Sequence, residues 1–173
     1  MSLFVSDRSK SMLSSARAAR EEPLFRVPAF GLTVRVRLGL GADRQLPTVV
    51  ETSHADGGGP PMYRRAESEV YEILTGRYLF EVNGERFIAR RGDLVSVPGG
   101  ATRGFVNVTG TPARQQVYIQ PAFDAQAFFA QLSHACRPGA PAMELEEFGR
   151  RWGIDYLAPR LRPHDAEVPG GLD

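Results

Sequence analysis

Three things are scarce in this chain. There is one cysteine, Cys136, so no disulfide can close within it. There is one lysine, Lys10, so arginine carries nearly all the basic charge. No apolar run approaches the roughly 18 residues a membrane helix needs. The longest early one, Leu3-Phe4-Val5, is too short for the core of a secretion signal. Net charge is also low, +1, which excludes a strong general pull toward nucleic acid or a membrane surface. The expectation is a cytoplasmic, soluble protein whose partner is a small molecule, with no nucleic acid and no membrane.

What remains is ordinary for a globular fold. The chain has 173 residues, 42% hydrophobic and 24% charged, which suits one domain with a real core. Cys136 follows the apolar stretch 128–135 and is expected on a helix. Nothing beside it in sequence would lower its pKa, so it is not read as a nucleophile.

Residues 1–22 are rich in serine and arginine and read as a flexible arm. From residue 31 the pattern changes. Leu32, Val34, Val36 and Leu38 alternate with polar residues, the period of a half-buried strand. Further strands are predicted over 48–53, 69–74, 78–82, 85–89, 94–97, 103–108 and 115–120. Asn83-Gly84 marks a tight hairpin, because both residues tolerate positive φ. Many short strands separated by Gly and Pro indicate an antiparallel sandwich or barrel over 23–121. After Pro121 the period becomes helical, with Phe123, Ala127, Phe128 and Leu132 on one face. A second helix spans 143–152 and ends at Gly153. Trp152 is expected to pack there. Residues 122–173 thus form a helical segment and tail that folds back on the barrel.

Two stretches carry fixed spacings. The first runs from Gly57 through Tyr63, Arg65 and Glu69 to Gly76. The second runs from Gly92 through Pro98, Gly100 and Arg103 to Asn107. Together they resemble the two signatures of the cupin family: Gly, five residues, His-x-His, three or four residues, Glu, six residues, Gly; and Gly, five residues, Pro-x-Gly, two residues, His, three residues, Asn. Tyr63, Arg65 and Arg103 stand where the family's three metal-binding histidines would stand, and Glu69 keeps the family's carboxylate. The tail is similar to that of single-domain cupins of the quercetin-dioxygenase-like group. The resemblance covers about residues 25–160. It implies an all-β fold, a double-stranded β-helix or jelly-roll barrel, with C-terminal helices, and a homodimer.

In that register Tyr63, Arg65, Glu69, Tyr71, Ile73, Arg103, Phe105 and Asn107 face the interior, while Arg64, Val70 and Glu72 face outward. Guanidinium stays protonated and has no lone pair to give a metal, so no metal and no cofactor is expected. Three readings stand side by side. In the first, two arginines and one carboxylate are a structural ion cluster. In the second, they form a catalytic site for an anionic or enolisable small molecule. Arg65 and Arg103 would stabilise anionic charge, Glu69 would be the general base, and Tyr63 would be the acid. Tyr71, Ile73, Phe105 and Asn107 would contact substrate. Cyclases, isomerases and lyases work in this way, and the resemblance implies a setting in secondary-metabolite biosynthesis. In the third, a metal-dependent dioxygenase rebuilds its site from His54, Glu69 and Tyr63. A non-catalytic binding cupin is the form the first reading takes.

Overall fold

The period-two alternation is realised as strands in a computed structural model, which describes residues 22–166. Residues 1–21, all but the last residue of the expected N-terminal arm, and the last seven residues lie outside that range. Among the described residues eleven strands form: β1 (Leu24–Val27), β2 (Leu32–Leu38), β3 (Thr48–His54), β4 (Met62–Arg65), β5 (Ser68–Thr75), β6 (Arg77–Val82), β7 (Glu85–Arg90), β8 (Leu94–Val97), β9 (Thr102–Asn107), β10 (Ala113–Gln120) and β11 (Ile154–Ala158). Two helices, α1 (Ala125–Ala135) and α2 (Ala142–Trp152), lie between β10 and β11. One antiparallel sheet has the order β1-β2-β3-β10-β5-β8 and the other β11-β4-β9-β6-β7. This is the jelly-roll arrangement expected from the sequence.

The inner faces follow the alternation. Leu32, Val34 and Val36 of β2 are buried, as are Tyr71 and Ile73 of β5 and Val117 and Ile119 of β10. Across the barrel they meet Phe80 and Phe105, whose rings lie 5.2 and 5.5 Å from that of Tyr71. Strand β9 is buried on both faces. Its outer face is covered by a second apolar cluster of Met62, Leu79, Val106 and Leu161, the last of these from the chain after β11.

Turn chemistry sets the register. Asn83 and Gly84 both take positive φ, 49° and 82°, and align Val82 with Glu85 in the β6–β7 hairpin. Gly59 is required for a different reason. The loop before β4 runs so close to β9 that any Cβ at Gly59 would collide with the Phe105 carbonyl oxygen. The Asp124 side chain caps α1 by accepting from the Ala127 N–H at 3.0 Å. Gly153 ends α2 in the left-handed region. Cys136 is the residue just after α1 rather than within it, and burial raises its thiol pKa to about 11. Strands β1, β4 and β11 were not resolved by sequence pattern. They are four or five residues long.

Candidate functional site

Strand β4 is short but it sets the site. It pairs Tyr63 with Arg103 of β9 and with Tyr156 of β11, and Arg65 with Ile154. Tyr63 and Arg65, two residues apart, therefore share the inner face. Strand β5 brings Glu69 and Tyr71 to the same place. All eight residues expected inside the barrel are buried.

Glu69 is the hub. It is only 3% exposed, and its two oxygens are held unequally. Oε2 accepts from the Tyr71 hydroxyl at 2.7 Å, Arg103 Nε at 2.8 Å and the Tyr63 hydroxyl at 3.0 Å. Oε1 has only two long contacts, Tyr63 at 3.3 Å and Arg65 Nη1 at 3.5 Å. The Tyr63 and Tyr71 hydroxyls also touch each other at 2.9 Å. Burial, with the Glu69 charge added, raises both phenols far above their usual range, so both keep their protons.

The two arginines differ. Arg103 is fully buried and each of its nitrogens is engaged. Besides Glu69 it donates to the backbone carbonyls of Ala101 at 2.8 Å, Glu67 at 2.7 Å and Arg65 at 3.4 Å. Arg65 donates from Nε to Glu67 at 2.9 Å and weakly to Glu69. Among the described residues its Nη2 has no partner. Its guanidinium lies over the rings of Phe123 and Phe128, at 4.9 and 5.5 Å. Burial is the largest single influence and works against both charges, but Glu69 together with Glu67 and Tyr63 for Arg65, and with Tyr63 and Tyr71 for Arg103, outweighs it, so both arginine pKa values rise.

A cavity of about 90 Å³ opens beside this cluster. Tyr63, Arg65, Glu69, Tyr71 and Phe105 line it; Arg103, Ile73 and Asn107 do not. Ile73 is core. Asn107 clamps loops: its amide donates to the carbonyls of His54, Ala55 and Thr111, and its oxygen accepts from the Thr109 N–H. Helix α1 and strand β11 close the cavity with Phe128, Leu132 and Tyr156. Trp152 packs edge-on against Phe128, 5.2 Å between rings, and does not line the cavity.

Two further polar residues line the cavity: His54, which the sequence offered only as a metal ligand in the dioxygenase reading, and Gln115, to which it assigned no role. His54 pairs Nδ1 with the Tyr78 hydroxyl at 3.0 Å. Burial lowers its pKa to about 3, so the ring is neutral. Gln115 is fully buried with its amide unpaired. The only sequence signal for either is its inward parity on a strand.

The donor set does not fit a cupin-type metal. Two of the four positions are guanidinium, which cannot ligate. Among the described residues no three His, Cys, Asp or Glu side chains come together.

No match is found among curated proteins. Several solved structures are similar in fold. A cupin of the RmlC-like kind from Shewanella frigidimarina NCIMB 400 is 20% identical, with a TM-score of 0.51 over 59% of this chain and 86% of that one. A nucleoside dehydratase described as unique is 22% identical, with a TM-score of 0.50 over 61% and 81%. A variant of the Streptomyces protein with uridine is 23% identical, with a TM-score of 0.50 over 61% and 80%. Residues 49–117 match the family described as Cupin domain, and with these neighbours they identify the barrel as a cupin fold.

Proposed function

We propose that the barrel interior is the active site of a metal-independent enzyme of the cyclase, isomerase or lyase kind. It moves a proton on a small anionic or enolisable molecule, on a scaffold of the quercetin-dioxygenase-like group. The observation that carries this is the inequality of the Glu69 oxygens. Three short bonds hold Oε2, whereas Oε1 has only contacts of 3.3 and 3.5 Å, and Glu69 lines the cavity. A carboxylate anchored on one oxygen and loosely held on the other is oriented to take a proton.

Each neighbour then has a part. Oε1 of Glu69 removes a proton next to a carbonyl. Arg65, with Nη2 free, faces the oxygen on which negative charge develops. Tyr63 gives its hydroxyl proton to the product and takes in exchange the proton Glu69 has removed, across their 3.0–3.3 Å contacts, so both groups end as they began. Arg103 and Tyr71 are positioning residues that hold Oε2. The apolar walls exclude water, which strengthens these interactions. The cavity is smaller than the roughly 150 Å³ void known to hold benzene. A larger substrate would have to push aside Phe128 or Leu132 of α1.

A second reading is favoured by one fact: every nitrogen of Arg103 is satisfied without a ligand. In that reading the cluster is a structural plug, or the barrel binds without turning over. Binding separates plug from site. Protein-observed NMR with 2-oxo acids, 3-oxo acids and 1,3-diketones, chelator present, should show shifts at Tyr63, Tyr71 and Phe105 for at least one anionic probe. Loss of that probe in Arg65→Met would fit the roles above. No shift at those residues from any probe would favour the plug.

A further inference from the structure

The Gln115 amide is the one buried side-chain group, among the described residues, with neither nitrogen nor oxygen met. It is 0% exposed. A protein seldom buries a carboxamide unpaired, since an apolar side chain of similar shape would avoid the cost. Its neighbours cannot supply the partner. The Thr52 hydroxyl, across from it on β3, donates to the Gln115 backbone carbonyl at 3.4 Å. The position is not incidental to the cavity, because Gln115 lines it.

His54 lines the same wall and is 1% exposed. Gln115 pairs with Thr52, and His54 with Ala113, so the two side chains are diagonal neighbours on β3 and β10. Nδ1 of His54 is taken by Tyr78, and among the described residues Nε2 has no partner. Across β5, Gln115 faces Ile73, while Glu69 faces Ile119 four residues away. At ~3.3 Å per residue the two ends of the site stand about 13 Å apart. The far end carries no formal charge, and Leu32 and Phe105 flank His54 there.

We infer that this wall is the recognition end of the substrate site, and that it takes a neutral group presenting N–H beside C=O: an amide, lactam or imide edge. Such a group is the complement of the Gln115 carboxamide, with His54 Nε2 as a second contact. A carboxylate would find no cation there, and a hydrocarbon would leave the amide unmet. The substrate then has two distinct ends, a neutral amide-like edge at β3 and β10 and an enolisable or anionic carbonyl at Glu69 and Arg65. The inference rests on the reading of the cavity as a substrate site.

The test compares two rings of matched shape, 2-pyrrolidinone and cyclopentanone, by NMR titration of the full chain. The lactam should bind at least about tenfold tighter, and should move the Gln115 side-chain amide signals. Gln115→Leu should abolish that preference without lowering the melting temperature; Gln115→Met is the second variant if the first folds poorly. Equal affinity for the two rings in the native protein overturns the inference while leaving the cavity a binding site. A preference that survives in a folded Gln115 variant overturns it too. If neither ring enters, this inference and the functional reading both fall.

Discussion

At the scale of single residues, Glu69 and Arg103 depend on each other. A carboxylate 3% exposed is tolerable because Arg103, Tyr63 and Tyr71 meet it. Arg103→Met would leave Oε2 without its cation and free three backbone carbonyls. We expect a loss of roughly 3–5 kcal/mol in urea denaturation. Arg65→Met should cost clearly less, because Arg65 has only one short hydrogen bond, to Glu67. Equal losses would contradict the division between a holding arginine and a ligand-facing one. The meeting of Tyr63, Arg65, Glu69 and Arg103 was legible in the sequence, because strand parity and fixed turn spacing put them on one face. Their division of labour was not. It depends on where the carbonyls of Ala101 and Glu67 point, which no pattern of residue types encodes. Gln115 was missed for a similar reason: parity says that it faces inward, not that its amide lacks partners.

At the scale of elements, α1 is as much a part of the site as the strands. Phe128 packs against Phe123, Phe129, Phe148 and Trp152 and lies under the Arg65 guanidinium. Phe128→Ala should destabilise by about 3–5 kcal/mol, and the enlarged cavity should admit bulkier probes than the native one. Unchanged stability would mean that α1 is not docked as described. The Gly-rich loop is the second such element. Gly59→Ala would force the loop off the Phe105 carbonyl, and the urea midpoint should fall well below that of Gly41→Ala, where no atom lies in the way of a Cβ. Helices α1 and α2 were readable from the change of period after Pro121. Strands β4 and β11 were not, although they hold Tyr63 and Arg65 in place. They are recognised by their partners across the sheet rather than by their own composition.

At the scale of the whole molecule, acid stability should report the buried neutral histidine. His54 has an ordinary pKa of 6.5 when exposed and about 3 in the fold. Below pH 6.5 the unfolded chain therefore binds a proton that the folded one does not. This contribution to stability is complete above pH 6.5 and is lost as pH falls toward 3, by roughly 4–5 kcal/mol in all. His54→Gln should flatten the dependence of the urea midpoint on pH in that window; parallel curves would contradict the burial of a neutral ring. The barrel itself was largely legible, because Gly, Pro and Asn-Gly punctuation fixes strand lengths and turns before any packing is known. The substrate was not, because it depends on unmatched polar atoms spread over β3, β4, β5 and β10. The central claim is that Glu69 moves a proton inside this barrel. It is tested most directly by deuterium uptake from D₂O into enolisable 2-oxo acids and 1,3-diketones, followed by NMR with chelator present, for native protein and Glu69→Gln. The account predicts uptake by the native protein into at least one of these, slowed roughly 10²–10⁴-fold in a variant that still melts cooperatively. Native protein no faster than Glu69→Gln on every probe would contradict it.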